Sequence, residues 1–65
     1  MTAVQFASKR KKLWPAATEK ASRALAAAAL GTTAASIAFW EYGTRPVPVW
    51  AGKFLECLEA KRKHG

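Results

Sequence analysis

A chain of 65 residues with a net charge of +7 buries too little surface for a large core, so stability beyond packing calls for a disulfide, a metal or a partner. Cys57 is the only cysteine and His64 the only histidine, which excludes an internal disulfide and leaves no ligand set for a structural zinc. Eleven Lys and Arg against four acids point the chain toward anionic lipid or an acidic protein surface.

Residues 1–14 read as a basic N-terminal arm. Val4 and Phe6 precede Lys9, Arg10, Lys11 and Lys12 with no strong helix or strand period, so the arm is expected to order only on contact.

The next stretch, 15–42, reads as one continuous transmembrane helix. Its centre, 24–40, is seventeen residues without a charge, about 25 Å of helix at 1.5 Å per residue. Arg23 and Glu41 then sit where long side chains can reach the two interfaces of a bilayer whose apolar core is about 30 Å thick. Pro15 suits a first helical position, Gly43 a left-handed helix end, and Pro46 blocks resumption. Trp14, Trp40 and Tyr42 are placed as interface anchors at the two ends, with Trp50 a further anchor beyond.

Eight of the seventeen central residues are Ala, so transfer to lipid is only mildly favourable and protein neighbours are expected to supply the rest. Ala27, Gly31 and Ala35 recur every four residues, with Ala24, Ala28, Thr32 and Ser36 as a second small row. Such rows let another helix approach closely. Six cations before the span, Lys9, Arg10, Lys11, Lys12, Lys20 and Arg23, are the candidate lipid-headgroup ligands. By the positive-inside rule they place the N-terminus on the inner side of the membrane, which is the matrix side for the mitochondrial inner membrane to which the resemblance below points.

Residues 43–49, with Pro46 and Pro48, read as a stiff extended spacer. Residues 50–65 follow as a short amphipathic helix with a basic tail. Trp50, Phe54, Cys57 and Leu58 share one face, Glu59 precedes Lys63 by four, and the helix is expected to lie on a membrane or in a partner's groove. The fold class is therefore all-α: a single transmembrane helix with a basic N-terminal arm and a short C-terminal amphipathic helix.

No catalytic constellation emerges. Cys57 has no histidine base except the tail residue His64, and no carboxylates pair across a pocket, so no enzyme activity, cofactor, metal or small-molecule substrate is expected. A nucleic-acid reading of Lys9–Lys12 beside Trp14 leaves the uncharged stretch 24–40 without a purpose. A secretory signal reading would leave no domain after cleavage.

Residues 3–30, rich in Ala, Ser, Lys and Arg with the single acid Glu19, look like a mitochondrial import signal merging into an anchor. The layout of arm, Ala-rich span and short tail resembles the supernumerary single-span subunits of mitochondrial respiratory complexes. Val47 and Pro48, three residues, then Gly52, Lys53 and Phe54 resemble the segment after the span in the smallest subunit of the cytochrome bc complex, complex III. That resemblance implies a cofactor-free structural subunit of the respiratory chain, with other subunits and anionic phospholipid such as cardiolipin as partners and no nucleic acid. The alternatives are a small subunit of the ATP synthase and an independent single-span regulatory peptide.

Overall fold

Threonines start the first three helices of this chain and glycines end the second and third, and the described residues form four helices in all. The computed structural model describes residues 1–64; the side chains of Lys63 and His64 and all of Gly65 lie outside the described residues, and with them the expected Glu59–Lys63 pair and the tail role of His64. The elements are α1 (Ala3–Leu13), α2 (Glu19–Leu30), α3 (Ala34–Tyr42) and α4 (Val49–His64).

The expected arm is a helix. Thr2 Oγ1 accepts from the Gln5 N–H at 3.1 Å while Gln5 Oε1 accepts from the Thr2 N–H at 3.0 Å, a reciprocal capping box that satisfies two otherwise orphan donors. Arg10, Lys11 and Lys12 fall in the last turn of α1, where cations favour the negative end of the helix dipole.

The expected transmembrane rod over 15–42 does not form, and the single-span fold class is thereby corrected. α2 begins at Glu19 rather than at Pro15, with Thr18 as its cap through a 3.1 Å bond from the Ala21 N–H. Gly31 then ends α2 in the left-handed region at φ 74°, which a residue with a Cβ occupies only under strain. Thr33 immediately starts α3 by accepting from the Ser36 N–H at 3.1 Å. The break turns the chain by 110°. At 12 and 9 residues, α2 and α3 are about 18 and 14 Å long, well short of a bilayer core. No single described helix is long and apolar enough to cross a membrane. The geometry at the ends of the uncharged stretch makes the same point, because Arg23 and Glu41, expected at opposite interfaces, pair at 3.1 Å.

Gly43 does close a helix, at φ 79°, and the Arg45 N–H reaches back to the Phe39 carbonyl at 3.2 Å. After Pro46 and Pro48 the Pro48 carbonyl accepts from the Ala51 and Gly52 N–H groups at 3.1 and 3.2 Å, opening α4.

α1 is the hub, packed against α2, α3 and α4. The core joins Phe6 and Leu13 of α1, Ala26 and Ala27 of α2, Ile37 and Trp40 of α3, and Ala51 and Leu55 of α4. Phe6 and Trp40 meet edge to face at 5.6 Å between ring centroids, and Trp40 meets Trp50 at 6.0 Å, an arrangement that matches ring edges to ring faces. Gly52 lets α4 approach the chain start, since a Cβ there would sit 3.3 Å from Met1 Cβ.

Candidate functional site

Along α1 the buried positions are Phe6, Arg10 and Leu13, a helical seam with a guanidinium in its middle. Arg10 is 0% exposed. A cation taken out of water at that depth needs paired charge and full hydrogen bonding, and three side chains on α2 and α3 supply it through four bonds. Glu41 of α3 receives the Nε–H at 2.6 Å and an Nη2–H at 2.8 Å, in a two-point fork. Glu19 at the start of α2 accepts from Nη2 at 2.5 Å, and Ser22 Oγ accepts from Nη1 at 2.8 Å. Ser22 in turn donates to the Trp14 carbonyl at 2.6 Å, so the network also fixes the α1–α2 connection. No buried side-chain N or O among the described residues is left without a partner.

Glu41 is itself shielded, its side chain 3% exposed, and it takes a second bond from Arg23 Nε at 3.1 Å. Arg23 extends on to the Tyr42 hydroxyl at 3.3 Å, with its guanidinium 5.1 Å from the Tyr42 ring centroid. The hydrogen bond to Glu41 raises the Arg10 pKa, against the lowering effect of burial, and the Glu19 bond and both carboxylate charges add to the rise. Glu19 is held below its ordinary value first by its bond from Arg10, with burial opposing and the charges of Arg10, Lys11 and Arg23 adding. The arrangement clamps three helices together. A shallow depression of about 240 Å³ opens beside it, lined by Arg10, Lys11, Pro15, Thr18, Glu19 and Ser22 among others.

The six cations expected to hold lipid headgroups are thereby divided. Arg10 and Arg23 are committed to Glu41, Lys9 pairs with Glu59 of α4, and Lys11 lies 3.6 Å from Glu19. Lys12 and Lys20 are exposed and make no ion pair among the described residues. Of the small residues expected to receive a neighbouring helix, Ala27 is buried, whereas Ala24, Ala28, Gly31 and Ala35 face outward. Ala26, on neither small row, is fully buried instead. Among the expected interface anchors, Trp40 is core, Trp14 packs partly against it, and Tyr42 and Trp50 are exposed.

Three of the four acids, Glu19, Glu41 and Glu59, are drawn into helix–helix ion pairs. Among the described residues the exposed charged side chains outside those ion pairs are Lys12, Lys20, Arg45, Lys53, Lys61 and Arg62 with the single acid Glu56, and Arg45 stacks 4.9 Å over the Phe39 ring. Among the described residues no group of three or more His, Cys, Asp and Glu is placed to hold a metal ion. The Arg10 clamp went unread in the sequence because its cation sits inside a basic run. The available signal was the spacing Phe6, Arg10, Leu13, an apolar seam interrupted once. Comparison with protein-family models, curated proteins and solved structures returns no match.

Proposed function

We propose that this chain is a non-catalytic accessory subunit that docks through its cationic exterior onto a larger anionic assembly, a mitochondrial inner-membrane respiratory complex being the first candidate. The observation that carries the reading is the partition of charge. Three of the four acids hold helices together and only Glu56 is left outward and unpaired among the described residues, so what a partner meets is a predominantly positive remainder. A surface of that kind steers a small protein toward acidic protein faces and anionic lipid, and it needs no pocket. The short resemblance to the smallest complex III subunit falls on the start of α4, where Lys53 and Phe54 are exposed, and supports complex III as the first assembly to examine.

Separation of mild-detergent membrane extracts on native gels, with mass spectrometry for this chain across the size range, tests the reading. Co-migration with one large complex is the expected result. Recovery at low mass alone would overturn it in favour of an independent basic protein, the second reading, which the closed core of the four helices favours.

A further inference from the structure

Helix α4 presents two apolar faces, and only one of them is used inside the fold. Ala51 and Leu55 are fully buried, with Leu58 partly covered beside them. At 100° per residue, Trp50, Phe54, Cys57 and Lys61 form a separate stripe along the outside, about 16 Å long. Trp50 is 52% and Phe54 37% exposed, and Cys57 is exposed as well. Lys53 borders the stripe and Lys61 ends it, both exposed and neither in an ion pair among the described residues. Glu56 lies about 100° round the helix from Cys57, so the stripe itself contains no acid.

We infer that the Trp50–Phe54–Cys57–Lys61 face of α4 is a docking surface for an anionic phospholipid bilayer, met at its headgroup level without crossing it. This deepens the accessory reading and rests on it for location. Charge complementarity selects the occupant. A second copy of the chain would bring +7 against +7. A protein groove would be expected to pattern its charges, whereas this face offers cations of one sign only. Those cations are lysines, whose long stems reach past apolar groups to headgroups, rather than arginines that fork onto one carboxylate. The rings are half-packed already, Trp50 resting edge-on against Trp40, so they can enter the interface only shallowly, as amphipathic aromatic residues do. The headgroup role assigned in sequence to Lys9, Arg10, Lys11, Lys12, Lys20 and Arg23 thus passes to α4, because Arg10 is buried and Lys9, Lys11 and Arg23 face acids of the same chain.

The test uses the full chain and vesicles of phosphatidylcholine with or without cardiolipin. The expected result is co-sedimentation with the cardiolipin vesicles, weak binding to phosphatidylcholine alone, and a blue shift of tryptophan emission from Trp50. Trp50→Ala with Phe54→Ala should weaken partitioning by about tenfold or more with an unchanged far-ultraviolet circular dichroism spectrum. Lys53→Gln and Lys61→Gln should each cost about fivefold, whereas Lys12→Gln with Lys20→Gln should cost less than that pair. An environment-sensitive dye on Cys57 reads the same face without touching the rings, and its emission should report a drop in polarity on binding. No binding to cardiolipin vesicles, an unmoved dye, or equal losses from the two lysine pairs would overturn the inference. Absent vesicle binding with co-migration retained would leave the accessory reading standing and give the stripe to a protein. Vesicle binding without co-migration would sustain the docking surface and remove the accessory reading alone.

Discussion

Replacing Glu41 by Gln keeps the shape of the side chain and removes the charge that Arg10 faces inside the protein. Arg10 is fully buried and Glu41 nearly so, and two of the guanidinium's bonds, at 2.6 and 2.8 Å, end on that carboxylate. Breaking one partner out of a buried pair costs about 3–5 kcal/mol, because the other charge stays buried and unpaired. Here Glu19 still touches Nη2, but its side chain is half exposed, so it offsets only part of the loss. Against a total of roughly 3–10 kcal/mol for a chain of this length, that loss is about a third of the stability at the upper end and most or all of it at the lower. Urea unfolding followed by circular dichroism should show the midpoint of Glu41→Gln falling sharply with little change in slope. Arg10→Met combined with Glu41→Leu should recover most of the loss, since an apolar pair of similar volume no longer carries the desolvation cost. A Glu41→Gln variant within about 1 kcal/mol of the parent would mean that the pair is solvent-screened, and the clamp reading would fall.

Two further outcomes follow from the same geometry. Gly31→Ala has open space around the new Cβ, so its effect is purely conformational: about 1 kcal/mol of destabilisation if Gly31 is the left-handed end of α2, and stabilisation of similar size if 15–42 were one continuous helix, which makes the sign of the urea midpoint shift decisive. Glu19 has its pKa lowered in the folded state, so below the ordinary value of 4.5 the unfolded chain binds the proton first; stability present above that pH should fall as pH drops through the folded value, and Glu19→Gln should flatten this acid limb in low salt, an unchanged limb refuting the assignment.

Much of the helix grammar was legible in the residues. Gly43 as a helix end and a helix over the C-terminal segment follow from the local chemistry of glycine, proline and a charged, apolar-striped run. The break at Gly31–Thr33 was equally local, a left-handed glycine followed by a capping threonine, but an uncharged stretch of seventeen residues carries a stronger apparent signal of continuity. The α1 helix was masked for a related reason. Its capping residues Thr2 and Gln5 are visible in sequence, yet its seam alternates with lysines and holds an arginine, so no apolar period stands out. The spacing Phe6, Arg10, Leu13 hinted at an inward Arg10, but which acid would meet it was not legible, because that depends on Glu41 returning to α1 through a 110° turn thirty-one positions along the chain.

That long-range return links the fold to its charge surface. Arg10 belongs to the core only while Glu41 and Glu19 reach it; with the clamp opened, a buried guanidinium would have to seek water. The outward cations of α4 do not depend on the clamp directly, but α4 rests on α1 through Leu55, Ala51 and the Lys9–Glu59 pair. A change that frees α1 therefore also frees the support of the docking stripe, and Glu41→Gln should weaken vesicle binding in proportion to the fraction unfolded and no further. Binding lost beyond that fraction would mean that Glu41 or the Arg23–Tyr42 contact beside it takes part in docking itself.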